Sequence, residues 1–87
     1  MAEYKIFLKS SAAKEVDAVD SKADRRRIVA RIAALAENPR SQQTEKLAGY
    51  DDRYRIRQGQ YRIVYFIDDA QRQVTVFKVG HRRDIYR

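Results

Sequence analysis

Residues 54–67 constrain the fold more than any other stretch of the chain. Tyr54 to Gln58 and Tyr61 to Ile67 are rich in aromatic and β-branched residues, and only Gly59-Gln60 separates them. Glycine at the first of two central positions favours a type II′ turn, which suits a tight antiparallel hairpin. That turn sets a register in which Gln58 faces Tyr61, Arg57 faces Arg62, Ile56 faces Ile63 and Tyr54 faces Tyr65. Side chains alternate between the two faces of a strand. Tyr54, Ile56, Tyr61, Ile63, Tyr65 and Ile67 therefore share a core face, while Arg55, Arg57 and Arg62, with Val64 and Phe66, share the other.

A looser turn at Asp68–Arg72 leads to a third strand, Gln73 to Val79, whose apolar members are Val74, Val76, Phe77 and Val79. Three strands joined by short turns make an antiparallel meander. Upstream, Tyr4 to Leu8 reads as a short strand of β-formers. Ser10-Ser11 offer N-caps for a first helix, with Ala12, Ala13, Val16 and Val19 on one face. Asp20-Ser21 ends it and caps a second helix, from about Lys22 to Glu37. Its stripe is Ile28, Ile32 and Leu35, widened by Val29, Ala33 and Ala36, and Asn38-Pro39 stops it. Arg25, Arg26, Arg27 and Arg31 fall mostly off that stripe and read as a solvated face. Arg40 to Arg53 carries loop chemistry, with Leu47 as an anchor. The expectation is one α+β domain over residues 1–87: an N-terminal strand and a two-helix hairpin packed on a C-terminal antiparallel meander. The pattern leaves open where the N-terminal strand joins the sheet.

The 87 residues include 19 Lys and Arg against 12 Asp and Glu, a formal charge of +7. Such a field attracts polyanions. Without cysteine and with one histidine, the chain offers no disulfide framework and no zinc site. No cofactor and no small-molecule substrate is expected. Nothing approaches the ~20 apolar residues of a membrane span, and the N-terminus has no signal-peptide pattern. A cytoplasmic location is expected.

The arginines point to a specific anion. In the hairpin register Arg57 and Arg62 lie directly across the ladder, where like charges repel. Their retention suggests an anion held between them. Arginine forks bind phosphate bidentately and stay charged. His81, Arg82, Arg83, Tyr86 and Arg87 follow the last strand, and Gly80 leads them straight out of it. Tyrosine among cations can stack on a base or act as a general base.

Two segments carry a resemblance: Tyr54-Arg55-Ile56-Arg57-Gln58-Gly59-Gln60-Tyr61-Arg62-Ile63-Val64-Tyr65, and Val79-Gly80-His81-Arg82-Arg83-Asp84-Ile85-Tyr86-Arg87. With Lys46-Leu47-Ala48-Gly49 ahead of them, they resemble the RelE toxins of the RelE/ParE toxin–antitoxin superfamily. The resemblance implies a ribosome-dependent mRNA endonuclease that cuts in the A site and is neutralised by a RelB-like acidic antitoxin. It assigns catalytic positions to Arg55, Arg57, Arg62, Arg82 and Tyr86. RNA can be cut without metal when its 2′-OH attacks the adjacent phosphate, which needs a base, cations for the developing charge and an acid for the leaving oxygen. Arg57 and Arg62 suit the charge, Tyr86 the base, and His81 or Arg82 the leaving group. Lys46, Arg53, Arg83 and Arg87 are the further nucleic-acid contacts expected. The paired positions Arg55 and Arg57 are often lysine in that family. Arginine keeps phosphate binding but cannot serve as a base. Two other readings stay open: a ParE-like DNA gyrase inhibitor, and a catalytically weak RNA- or antitoxin-binding module.

Overall fold

The computed structural model describes residues 3–49 and 52–85. The elements run β1 (Lys5–Leu8), α1 (Ser10–Asp17), α2 (Lys22–Ala34), β2 (Thr44–Lys46), β3 (Arg53–Gln58), β4 (Tyr61–Asp68), β5 (Gln73–His81) and α3 (Arg82–Ile85). They form one sheet in the order β1-β5-β4-β3-β2. β3 and β4 pair in the register set by the Gly59-Gln60 turn, with Arg57 opposite Arg62 and Tyr54 opposite Tyr65. Gly59 has φ +59, the sign a type II′ turn requires at its first central residue and one that side chains disfavour.

The helix hairpin covers one face of this sheet. Ala12, Val16 and Val19 from the first helical segment, with Ile28, Ile32 and Leu35 from the second, pack on Tyr54, Ile56, Ile63, Tyr65, Ile67, Val74, Val76 and Val79. A β-bulge lies where Val64 pairs with Lys78 but Tyr65 pairs with Val76, leaving Phe77 as the extra residue. The bulge explains why Val74 and Val76 are followed in the core by Val79: the alternation shifts by one residue there. The buried Tyr65 hydroxyl donates to the Pro39 carbonyl at 2.7 Å and lies 2.9 Å from Thr44 Oγ1. That pair of bonds ties the chain leaving α2 to the sheet, and burial raises the Tyr65 pKa.

Several expectations are corrected. α1 starts at Ser10 behind an N-cap at Lys9 that makes no side-chain bond. The Lys9 amide is instead bound to the Val76 carbonyl at 3.0 Å, so the helix begins directly off the sheet edge and neither serine caps it. Ser21 does cap α2, accepting from the Asp24 amide at 3.2 Å. α2 ends at Ala34, because Leu35, Ala36 and Glu37 tighten into i→i−3 bonds before the proline. Val29 and Ala33 do not widen its stripe; both are exposed. The core line is Ile28-Ile32-Leu35, and the next residue round a helix points about 100° away. The stretch 40–53 is not all loop. Thr44–Lys46 forms an edge strand on Tyr54–Ile56, closed by Gly49 at φ +85 and by the Leu47 amide on the Arg53 carbonyl. The N-terminal strand runs parallel to β5, pairing Lys5–Leu8 with Gln73–Val76.

Candidate nucleic-acid interface

The face opposite the helices is the arginine face. Along β3, Arg53, Arg55 and Arg57 point to it, and along β4 so do Arg62, Val64 and Phe66. Just ahead of Thr44, where β2 begins, the hairpin end of this face opens into a groove of about 440 Å³. Arg31, Arg55, Arg57 and Arg62 line it, together with Gln42, Gln43, Gln58, Gly59 and a single carboxylate, Glu45.

Each arginine is held differently. Arg62 is 7% exposed. Its guanidinium donates to the carbonyls of Tyr61 at 3.0 Å and Gly59 at 3.3 Å. Among the described residues it has no carboxylate within ion-pairing distance, and neither does the exposed Arg57. A buried charge without a counter-ion is costly, so an anion seated between Arg57 and Arg62 would relieve both. Arg55 is bound by Glu45 at 2.6 Å. That hydrogen bond and the Arg55 charge hold the Glu45 carboxyl below its ordinary range, with Arg57 and Arg62 adding to the effect. Arg31 reaches over from α2 and donates to Gln58 Oε1 at 3.0 Å. The arrangement can bind a phosphate with several guanidinium donors, in competition with the Glu45 carboxylate.

The expected site residues divide. Arg55, Arg57 and Arg62 come together in the groove. Arg82 is exposed at the start of α3, and its amide donates to the Gln60 carbonyl at 2.8 Å, which sets that turn beside the hairpin. Arg83 is exposed, its amide bound to His81 Nδ1 at 3.3 Å. His81 pairs with Tyr61 rather than with Arg62, so it takes the opposite face of the sheet. It packs edge-on against the Tyr61 ring at 5.6 Å and lines a second groove with Glu15, Val79 and Asp84. Lys46 pairs with Tyr54 and lies on the helix side of the edge strand, away from the arginine face. Arg53 is on the arginine face, 5.4 Å over the Phe77 ring. Tyr86 and Arg87 lie outside the described residues. Sequence reasoning missed Gln42, Gln43, Glu45 and Gln58 as lining residues and left Arg31 on a solvated face. A strand reading of Thr44–Lys46 would have found Glu45, which then falls across from Arg55.

Among the described residues no group of three or more His, Cys, Asp or Glu side chains is placed to hold a metal ion. No described helix is long and apolar enough to cross a membrane.

Comparison with known proteins adds four findings. Residues 6–86 match the family model described as the ParE toxin of the type II toxin–antitoxin system parDE. The chain is 47% identical over 34 residues to toxin RelG of Mycobacterium tuberculosis, a stretch that spans 39% of this chain and 39% of that protein. Its fold superimposes on the archaeal RelE–RelB complex from Pyrococcus horikoshii OT3 with a TM-score of 0.81, at 25% identity, over 94% of this chain and 97% of that one. The isolated E. coli RelE toxin follows with a TM-score of 0.78, at 29% identity, over 90% of this chain and 83% of that one.

Proposed function

We propose that this chain, which belongs to the ParE toxin family of type II toxin–antitoxin systems, is a RelE-type toxin that cuts mRNA in the ribosomal A site. The observation that carries the reading is the Arg57–Arg62 pair: two cations directly across the ladder, neither ion-paired with a carboxylate among the described residues, in a groove on the sheet face opposite the helices.

In the proposed reaction the RNA 2′-oxygen attacks the adjacent phosphorus, and the P–O5′ bond breaks. The 2′-OH proton passes to the phenolate form of Tyr86, which becomes the phenol. Arg57 and Arg62 carry the negative charge that develops on the non-bridging oxygens. Arg55 leaves Glu45 and joins them as the phosphate enters. Arg82 stabilises the leaving 5′-oxygen, which takes its proton from the protonated base or from water. No metal is needed for these steps. His81 faces the other groove, and the reading gives it no proton to carry. Arg53, Arg83 and Arg87 would meet the surrounding RNA backbone, while Lys46, on the helix side of the edge strand, is given no such contact.

The solved relatives include RelE–RelB complexes, and the partner proposed here is likewise an acidic RelB-like antitoxin, with the ribosome and mRNA as targets in the cytoplasm. The ParE name of the matching family model favours a second reading, inhibition of DNA gyrase. Primer extension on mRNA from cells expressing the chain separates them. Cuts confined to translated frames support the RNase reading. Intact mRNA with induction of the DNA-damage response supports the gyrase reading. Intact mRNA with unaffected growth leaves a binding module.

A further inference from the structure

The face opposite the helices is not uniformly basic. Read across the strands, Arg57, Arg62 and Gly80 form one row at the hairpin end. Glu45, Arg55, Val64 and Lys78 form the next. Arg53, Phe66, Thr75 and Phe7 form a third, with Phe77 bulged in beside it. The face therefore grades from guanidinium groups at one end to aromatic rings at the other.

The fold does not account for those rings. The solvated face of an antiparallel sheet is normally polar. Here Phe7 is 46% exposed, Phe66 and Phe77 are half-buried, and none belongs to the buried core cluster. Val64 beside them is buried yet also outside that cluster. Phe66 and Phe77 lie with ring centroids 5.7 Å apart, and Arg53 lies over Phe77.

We propose that Phe7, Phe66 and Phe77 form a base-stacking platform for single-stranded RNA running out of the arginine groove. The inference rests on the RNase reading above and adds where the flanking nucleotides go. Arg57, Arg55 and Arg53 repeat at every second residue of β3, about 7 Å apart. That step is comparable to one nucleotide of an extended strand. The β3 arginines thus offer a backbone track, and the rings of Phe66 on β4, Phe77 on β5 and Phe7 on β1 offer faces for the bases beside it. Stacking on phenylalanine accepts any base, so the platform adds affinity without sequence preference.

The test uses the full chain and two fully 2′-O-methylated, uncleavable RNA oligonucleotides, a dimer and a hexamer. The hexamer carries 2-aminopurine near one end, whose fluorescence is quenched on stacking. The expected results are a hexamer bound about tenfold or more tightly than the dimer, and quenching on binding. Phe7→Ser, Phe66→Leu and Phe77→Leu should each lose about 5- to 100-fold on the hexamer, lose quenching, and leave the dimer unchanged. Circular dichroism and melting check that each variant folds. Phe7 is exposed on an edge strand and is the least exposed to a folding defect, and quenching in the unaltered chain is an independent readout. Equal binding of dimer and hexamer, or variants that match the parent on both, overturns the platform while leaving the arginine site standing. Variants that keep RNA binding but lose an acidic antitoxin peptide also overturn it, and make the rings a protein-docking surface. A parent chain that binds neither oligonucleotide strikes the RNA reading itself.

Discussion

Two arginine clusters at different places in this molecule are built in opposite ways. Where the chain leaves α2, Arg40 is satisfied on every side. Its guanidinium grips Asp69 with two bonds of 3.0 and 2.8 Å, donates to the Tyr54 hydroxyl at 3.1 Å and lies 5.2 Å over the Tyr54 ring. Tyr4 donates to the same carboxylate at 2.6 Å. In the groove, Arg62 has two carbonyls and Arg57 no carboxylate among the described residues. One guanidinium closes the structure around itself, and the others are left short of anionic charge. The difference separates an arginine enclosed by partners from arginines with guanidinium donors left for an anion, something a count of basic residues cannot do.

The sharpest way to break this contrast is to remove one arginine from each cluster. Arg62→Ala should lower mRNA cleavage by about 100- to 1,000-fold, the usual loss when a donor to developing charge is removed. Arg40→Ala should leave cleavage within a few-fold and lower the melting temperature instead. Primer-extension yield and thermal melting on both variants decide it. Cleavage lost in Arg40→Ala and kept in Arg62→Ala would invert the assignment. Tyr65→Phe sharpens the structural side. It leaves the buried Pro39 carbonyl without its donor, which should cost about 1–2 kcal/mol in urea unfolding with RNA affinity unchanged. A weaker effect is expected at Glu45. Glu45→Gln removes a carboxylate that competes for Arg55, so RNA affinity should rise about two- to fivefold, the scale of an exposed ion pair, and the gain should fade in high salt. Affinity that falls on this substitution would make Glu45 a support for Arg55 rather than a competitor for its ligand.

How much of this was legible in sequence depends on how local the signal is. The β3–β4 register was, because a glycine turn and strand parity fix it within a dozen residues. The Arg57–Arg62 pairing followed from that register alone. β2 was not, because Thr44-Glu45-Lys46 has no pattern of its own and becomes a strand only by pairing with β3. Glu45, which depends on it, was therefore missed. The parallel seating of β1 on β5 joins residues nearly seventy positions apart, and no local feature announces it. Val74, Val76, Phe77 and Val79 do break strict alternation in the sequence, but only the pairing identifies Phe77 as the extra residue. His81 shows the opposite hazard. It neighbours Arg82 in sequence, yet strand parity turns it to the other face, as counting from the Gly80–Arg62 pair reveals.

The smallest expected effect tests the closed cluster through pH. Arg40 first, then Tyr4, hold the Asp69 carboxyl down to about 2, against 3.8 for an unperturbed aspartate. A carboxylate whose pKa falls on folding stabilises the native state above its unfolded pKa. That contribution is whole above pH 4, declines as pH drops below 3.8, and is gone once pH passes below about 2. Asp69→Asn removes the charge at every pH. The parent should therefore melt higher than the variant at neutral pH, and the gap should close between pH 4 and pH 2. Because the pair is exposed, solvent screens it and the gap should be modest. In the groove, Arg55 likewise holds the Glu45 carboxyl low. Combining Glu45→Gln with Asp69→Asn should remove both acid-sensitive contributions. A parent–variant gap that persists undiminished at pH 2 would mean that Asp69 supports the fold through hydrogen bonds an asparagine cannot reproduce, rather than through its charge.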